Sequence, residues 1–131
     1  MIFLVRDYQP KKSKYVLPKP VYHQAIWIAR DYNRWVEELQ EIDKKDTDVN
    51  SYIKSNVPGN PIETMYLKKE SYLDNINKME QAVETIPEEY RKGVWNNVVN
   101  YKAFPLDADR TTYSRYKSKL IKEIAERFDL L

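Results

Sequence analysis

The spacing of apolar side chains is the feature that most constrains the fold of this chain. In the stretch 21–42, apolar residues recur every three or four positions and charged residues fill the positions between them. This pattern predicts an amphipathic α-helix. The same spacing recurs over 62–85, 87–101 and 110–128. Four such segments fill most of the 131 residues, so the sequence predicts an all-α single domain. With only two glycines, a fold built from many tight β-hairpins is disfavoured.

Prolines and turn-forming residues predict where these helices begin and end. Pro61 and Pro87 each stand at a predicted helix start, where the missing N–H of proline breaks no helical hydrogen bond. Asp109 is a suitable N-cap for the last helix. The polar stretch 43–60 contains a strong proline–glycine turn signal and is predicted to be a loop.

The order of the segments predicts a long antiparallel hairpin followed by a pair of helices. We expect a basic arm over 1–17, a helical hairpin over 18–85 with its loop at 43–60, and a helix-turn-helix-like pair over 86–131. Two long helices joined by a polar loop bury their apolar stripes on each other.

The composition argues against several classes of functional site. Without cysteine, neither disulfides nor thiolate zinc sites can form. His23 is the single histidine and has no carboxylates at ligand spacing beside it, while neighbouring glutamates such as Glu88 and Glu89 do not face each other on a helix. No glycine-rich phosphate loop or Ser-His-Asp order is recognisable. We therefore expect a binding protein rather than an enzyme, with no catalytic residue, cofactor or metal.

Charge is distributed unevenly along the chain. Residues 1–20 carry five basic side chains and one acidic one, residues 21–86 carry eight basic and twelve acidic, and residues 87–131 carry nine basic and seven acidic. A chain with basic ends and an acidic middle favours an anionic partner at the ends, although chance explains such a distribution equally well.

The last helix carries the pattern most suggestive of function. When its residues are placed at steps of about 100°, one side is apolar and the other carries cations and hydroxyls. Between positions 110 and 122 there are five basic residues and no acidic one. We call the outward residues the polar strip: Arg110, Thr111, Ser114, Arg115, Ser118, Lys119 and Lys122. We expect this strip to be unbroken and open to solvent, and Lys117, on the apolar side, to extend outward.

Such a strip has the chemistry that a DNA major groove accepts. Arginine can donate two hydrogen bonds to a guanine edge, while lysine and hydroxyl groups hold phosphates. The alternative without a specific function is a solvated amphipathic helix whose charges only confer solubility. Uniform positive sign over about three turns favours the first interpretation.

The segment 110–131 resembles the C-terminus of phage and prophage late-gene transcriptional regulators of Gram-positive bacteria, of the autolysin-regulator type. Their final helix-turn-helix is similar to the fourth region of bacterial sigma factors. The matching residues are Thr111, Thr112, Tyr113, Arg115, Tyr116, Ile124, Ala125 and Phe128. The resemblance implies DNA contacts by Thr111, Ser114, Arg115, Ser118 and Lys122, and packing roles for Tyr113, Tyr116, Leu120 and Ile124. In one departure from the usual motif, the stretch 102–108 is longer than a turn of about three to four residues and lacks glycine.

Two functions follow as expectations. The first is a cytoplasmic DNA-binding transcriptional regulator of phage or prophage origin, with double-stranded DNA as partner, RNA polymerase or another host protein as a second partner, and a homodimer as its assembly. The alternative is a small helical protein-interaction module or a phage-encoded inhibitor of a host protein. An exposed apolar stripe on the first two helices would favour the alternative. No membrane association is expected, because the apolar stretch 1–5 is far too short to span a bilayer.

Overall fold

The structure is a computed structural model that describes residues 9–10, 14–49 and 61–131. Within these ranges it contains five helices and no strand, so the predicted all-α fold class is confirmed. Most of the predicted arm (1–8 and 11–13) and much of the predicted loop (50–60) lie outside the described residues. The helices are α1 (Lys19–Arg30), α2 (Tyr32–Val49), α3 (Pro61–Glu84), α4 (Glu88–Asn100) and α5 (Arg110–Arg127).

The segment 21–42, predicted as one helix, is divided at Asp31. The backbone N–H of Asp31 donates to the carbonyl of Ile28, and its own carbonyl accepts from the N–H of Trp35, so Asp31 ends α1 and caps the start of α2. Its carboxylate also binds Arg34 at 2.5 Å, and this hydrogen bond lowers the pKa of Asp31. The prediction of a single helix was wrong because the two halves pack against different neighbours: α1 against α4 and α5, and α2 against α3.

The antiparallel hairpin is formed by α2 and α3. Near one end, Asp43 binds Lys69 at 2.9 Å. Near the other end, Tyr32 lies beside Glu80, and burial together with this carboxylate raises the pKa of Tyr32. Because α2 continues to Val49, the first residues of the stretch predicted as a loop, 43–49, are helical.

The last helix lies at the centre of the core. α5 packs against α1, α3 and α4, and its inward side chains are almost fully buried: Tyr113, Leu120, Ile121 and Ile124. Each side chain of this size stabilises the fold by about 1.5–3 kcal/mol when it is buried. The fold therefore depends on the helix that the sequence singled out as a DNA-contacting surface.

The connection from α4 to α5 is packed onto α4 at Gly93. A Cβ atom at this glycine would lie 2.7 Å from a ring carbon of Tyr113 and 2.8 Å from the Cδ atom of Pro105. α4 ends at Tyr101, which adopts a left-handed backbone conformation with φ of 58°. Asp109 then caps α5 as predicted, with its carboxylate accepting from the backbone N–H of Thr111 at 3.2 Å.

Candidate nucleic-acid interface

The first two turns of α5 carry the exposed part of the polar strip. Arg110, Thr111 and Arg115 are exposed, and Ser114 is half-buried. Neither arginine forms an ion pair with a described carboxylate. The guanidinium of Arg115 lies 5.6 Å from the ring centre of Tyr116 on the same helix. These side chains are therefore accessible to a ligand approaching the amino end of α5.

An aromatic cluster holds this end of α5 in place. The ring of Tyr113 is stacked on Phe104 at 5.3 Å and meets the edge of Tyr90 at 5.5 Å, and Tyr90 also stacks on Tyr116 at 5.0 Å. The Tyr113 hydroxyl donates to Asp107 at 2.5 Å. This hydrogen bond and the burial of the ring raise the pKa of Tyr113 to about 12. The cluster joins α4, α5 and the connection between them, so the exposed side chains project from a fixed scaffold.

Carboxylates lie close to the same end of the helix. Asp109 is the N-cap of α5, Asp107 accepts from Tyr113, and the charge of Glu89 is near enough to raise the pKa of Tyr113 further. These three negative charges reduce the positive potential around Arg110. Any anion bound here must therefore be held mainly by direct contacts with the arginines.

The polar strip is interrupted in its middle, so the prediction of an unbroken strip was wrong. Ser118 is only 2% exposed, and its hydroxyl donates to the carbonyl of Ser114 at 3.2 Å. Lys119 is half-buried, and its Nζ donates to the carbonyl of Thr85 at 3.0 Å. The physical reason is that three helices, α1, α3 and α4, pack against α5 and cover part of the side predicted to face outward. Lys117 is also 5% exposed rather than extended into solvent as expected.

The carboxyl half of α5 lies beside the end of the N-terminal arm. The Nζ atoms of Lys122 and Lys14 lie 5.7 Å and 5.1 Å from the ring centre of Tyr15. Lys122 is also 4.0 Å from Glu126. The arm is anchored here because Leu17 is buried and the Gln9 side chain donates to the Leu17 carbonyl at 2.8 Å. Lys14 and Lys122 thus form a second basic spot, separated from Arg110 by the buried middle of α5.

The segment between α4 and α5 is fixed by hydrogen bonds rather than by a glycine turn. The Asn97 side chain donates to the carbonyl of Lys102 at 2.8 Å, and the N–H of Lys102 donates to the carbonyl of Asn96 at 3.1 Å. The helix pair expected over 86–131 is present as α4 and α5. Its connection spans residues 101–109 and is longer than that of an ordinary helix-turn-helix.

Among the exposed apolar side chains of the described residues, Trp27 and Leu67 were not anticipated from the sequence. Trp27 is 66% exposed on α1, and Leu67 is 60% exposed on α3. The signal for Leu67 was available, because this leucine stands apart from the apolar stripe of its helix. Trp27 lies on the side of α1 opposite the buried Ala25 and Ala29, which the same wheel projection would have revealed.

Comparison with known proteins gives no relative to guide the assignment. A scan against protein-family models and searches of curated proteins and of solved structures each found no match. In the part of the chain that the structure describes, no helix has the length and apolar character needed to cross a membrane, and no group of three metal-ligating side chains is assembled.

Proposed function

We propose that this chain is a DNA-binding transcriptional regulator of phage or prophage origin that acts in the cytoplasm and contacts the major groove through the amino end of α5. The observation that carries the proposal is the exposure of Arg110, Thr111 and Arg115 on the first two turns of this helix, with both arginines unpaired by described carboxylates. Recognition helices contact base edges mainly with their amino-terminal residues, so the interrupted middle of the strip is compatible with this mode.

The exposed side chains differ in the contacts they would make. Arg115 is the candidate for base recognition, since a guanidinium can donate two hydrogen bonds to guanine. The Thr111 hydroxyl and the Arg110 guanidinium are suited to a phosphate, whereas the backbone N–H of Thr111 is already bonded to the Asp109 carboxylate. Lys14 and Lys122 would contact phosphates further along the backbone, whereas Ser118 and Lys119 are assigned packing roles.

The decisive experiment measures binding to duplex DNA as a function of salt. Fluorescence anisotropy with a pool of random duplexes should give a Kd that rises steeply between 50 and 200 mM salt, because neutralised phosphates release counterions (roughly a factor of ten or more for a few contacts). Selection from the same pool should then enrich a sequence. A salt-independent Kd, or affinity no better than that of an acidic control protein, would refute the proposal.

Variants separate base contacts from phosphate contacts. Arg115→Ala should weaken binding to the selected sequence by about 5- to 150-fold, corresponding to about 1–3 kcal/mol of discrimination, and leave random duplexes less affected. Lys122→Ala should weaken all sequences alike and reduce the salt slope by about one. Lys68→Ala, which removes an exposed lysine from α3, is the matched control and should leave both affinities unchanged.

The assembly follows from the same mode of binding. A single amino-terminal helix end reads only a few base pairs, and such domains commonly pair to read two half-sites about one helical turn apart. We therefore propose that two copies bind one operator. Sedimentation of the complex with the selected duplex should give two chains for each DNA, and a strictly single copy on an asymmetric site would contradict this part of the proposal.

A further inference from the structure

A cleft lies between α4 and the connection that follows it. Its volume is about 360 Å³, which is within the range of small-molecule sites in proteins. Helix positions 89, 92, 93 and 96 share one side of α4 and form one wall, and the connection forms the other. We call this feature the α4 cleft and define it by six of its lining residues: Glu89, Gly93, Asn96, Lys102, Pro105 and Asp107.

The end of the α4 cleft nearest the start of the helix is acidic. Asp107 accepts a hydrogen bond from the Tyr113 hydroxyl at 2.5 Å, and the charge of Glu89 acts on the same tyrosine, whose pKa it helps to raise. The two carboxylates therefore lie near one another on opposite walls of the cleft. Neither forms an ion pair with a described residue. A cation that enters this end of the cleft can be bound by both.

The other end of the α4 cleft is basic. The backbone N–H of Lys102 donates to the carbonyl of Asn96 at 3.1 Å, which places Lys102 beside the last turn of α4. Asn96 stands about 10 Å along the helix axis from Glu89. Lys92 lies on the turn between them, and neither lysine forms an ion pair with a described carboxylate. An anionic group is therefore favoured at this end.

The middle of the α4 cleft is apolar. Gly93 contributes no side chain, and two ring atoms of Pro105 lie 2.8 and 2.9 Å from the point that a Cβ atom of residue 93 would occupy. A matching ligand has a cation at one end, an anion at the other and a short aliphatic stem between them. A guanidinium suits the acidic end best, because its planar fork of N–H groups donates to carboxylates in pairs.

We propose that the α4 cleft binds a small guanidino acid of the arginine type, with its guanidinium between Glu89 and Asp107 and its carboxylate near Lys102. Nucleic acid is a poor occupant, because the two carboxylates repel phosphates. The site uses none of the residues assigned to DNA, so this inference does not depend on the proposed function. The charged side chains are exposed, so each ion pair contributes little, and we expect a Kd in the millimolar range.

The probe for the test is free L-arginine, titrated into the full chain at constant ionic strength and followed by the amide shifts in NMR spectra. The shifts should saturate and should be confined to residues 89–107 and the neighbourhood of Tyr113. Agmatine, which lacks the carboxylate, should bind about two- to fivefold more weakly. Norvaline, which lacks the guanidinium, should give no saturable shift. Added salt should weaken arginine binding, because the ion pairs are exposed.

Two substitutions establish that the cleft itself binds. Glu89→Gln and Lys102→Gln should each raise the Kd for arginine about two- to fivefold. Their matched controls are Glu88→Gln, which removes an exposed neighbouring carboxylate outside the cleft, and Lys68→Gln on α3. Both controls should leave the Kd unchanged. Because all four side chains are exposed, circular dichroism should show unchanged helix content.

Three results would overturn the proposal. The first is a linear, unsaturated response to arginine, or shifts that map to another part of the chain. The second is equal binding of arginine, agmatine and norvaline. The third is a Kd that Glu89→Gln and Lys102→Gln leave unaltered, or that Glu88→Gln raises as much as Glu89→Gln does, since either would show that only the net charge of the protein attracts the probe.

Discussion

Gly93 lies on α4 where the connection between α4 and α5 packs against it. The substitution Gly93→Ala has two opposing effects on stability, a gain in helix propensity and a loss from overpacking. Alanine is favoured over glycine inside a helix by about 1 kcal/mol. Against this, the added Cβ would lie 2.7 Å from Tyr113 and 2.8 and 2.9 Å from two ring atoms of Pro105. Such overpacking costs about 1–3 kcal/mol.

The strain should exceed the gain in helix propensity because neither neighbour can move easily. Tyr113 is held by its hydrogen bond to Asp107 and by stacking on Phe104, and Pro105 is a rigid ring. Taking the upper part of the strain range and subtracting the propensity, we expect a net loss of about 2 kcal/mol in the free energy of unfolding. Urea denaturation followed by circular dichroism measures this quantity.

A matched control and a double-mutant cycle make the argument refutable. Lys92→Ala changes the exposed neighbouring residue and should alter stability by no more than about 0.5 kcal/mol. In a Pro105→Ala background, Gly93→Ala should cost less, because two of the three close contacts are gone. If Gly93→Ala instead stabilised the protein by about 1 kcal/mol, helix propensity alone would decide the outcome and the packing of the connection onto α4 would be refuted.

Three further predictions concern α5 and its amino end. Ile124→Ala, at a fully buried position, should lower the free energy of unfolding by about 2–5 kcal/mol, and a loss below about 1 kcal/mol in urea denaturation would contradict the central position of this helix. Asp109→Ala should cost about 1 kcal/mol in the same assay through loss of the N-cap, whereas Asp109→Asn, which retains a cap acceptor, should cost much less. An NMR titration of the assigned Tyr113 ring signals, which separates this residue from the other ten tyrosines, should place its pKa at about 12 and nearer the usual value in the Asp107→Asn variant. This shift favours the neutral phenol in the folded state, so its stabilising effect is complete below the ordinary tyrosine pKa and is lost as the pH rises toward about 12. A pKa of Tyr113 near the ordinary value in the wild-type protein would contradict the hydrogen bond to Asp107.

The fold was largely predictable because its boundaries depend on local chemistry. Pro61 begins α3 and Asp109 caps α5 where the sequence indicated, since a proline at a helix start and a carboxylate at an N-cap act within one turn of themselves. The division at Asp31 was not predictable in the same way. The break depends on which distant helices each half of the segment packs against. The sequence around Asp31 contains no proline or glycine that would predict a break.

The candidate site was predictable only in part because periodicity identifies the centre of a buried side better than its edges. Tyr113 and Ile124 were correctly assigned to packing. Ser118 was assigned to the outward strip although it stands three and seven positions before Ile121 and Ala125, both of which are buried. Residues at these separations share one side of a helix, so a small hydroxyl residue at the edge of the apolar side was mistaken for a surface group.

The burial of α5 on three sides limits how the protein can use this helix. This helix cannot lay its whole length in a groove, because neighbouring elements occupy the middle of its outward side: Ser118 is 2% exposed and Lys119 donates to the carbonyl of Thr85. Function on α5 is therefore confined to side chains that extend past its neighbours: Arg110, Thr111 and Arg115 at the amino end, and Lys122 beside the arm. The buried middle also has an advantage for binding. It fixes the direction of α5 and therefore the relative positions of its two exposed ends. A ligand that engages both ends must span the interrupted middle of α5. A DNA duplex can do so, because it can offer a base edge to Arg115 and a backbone phosphate to Lys122.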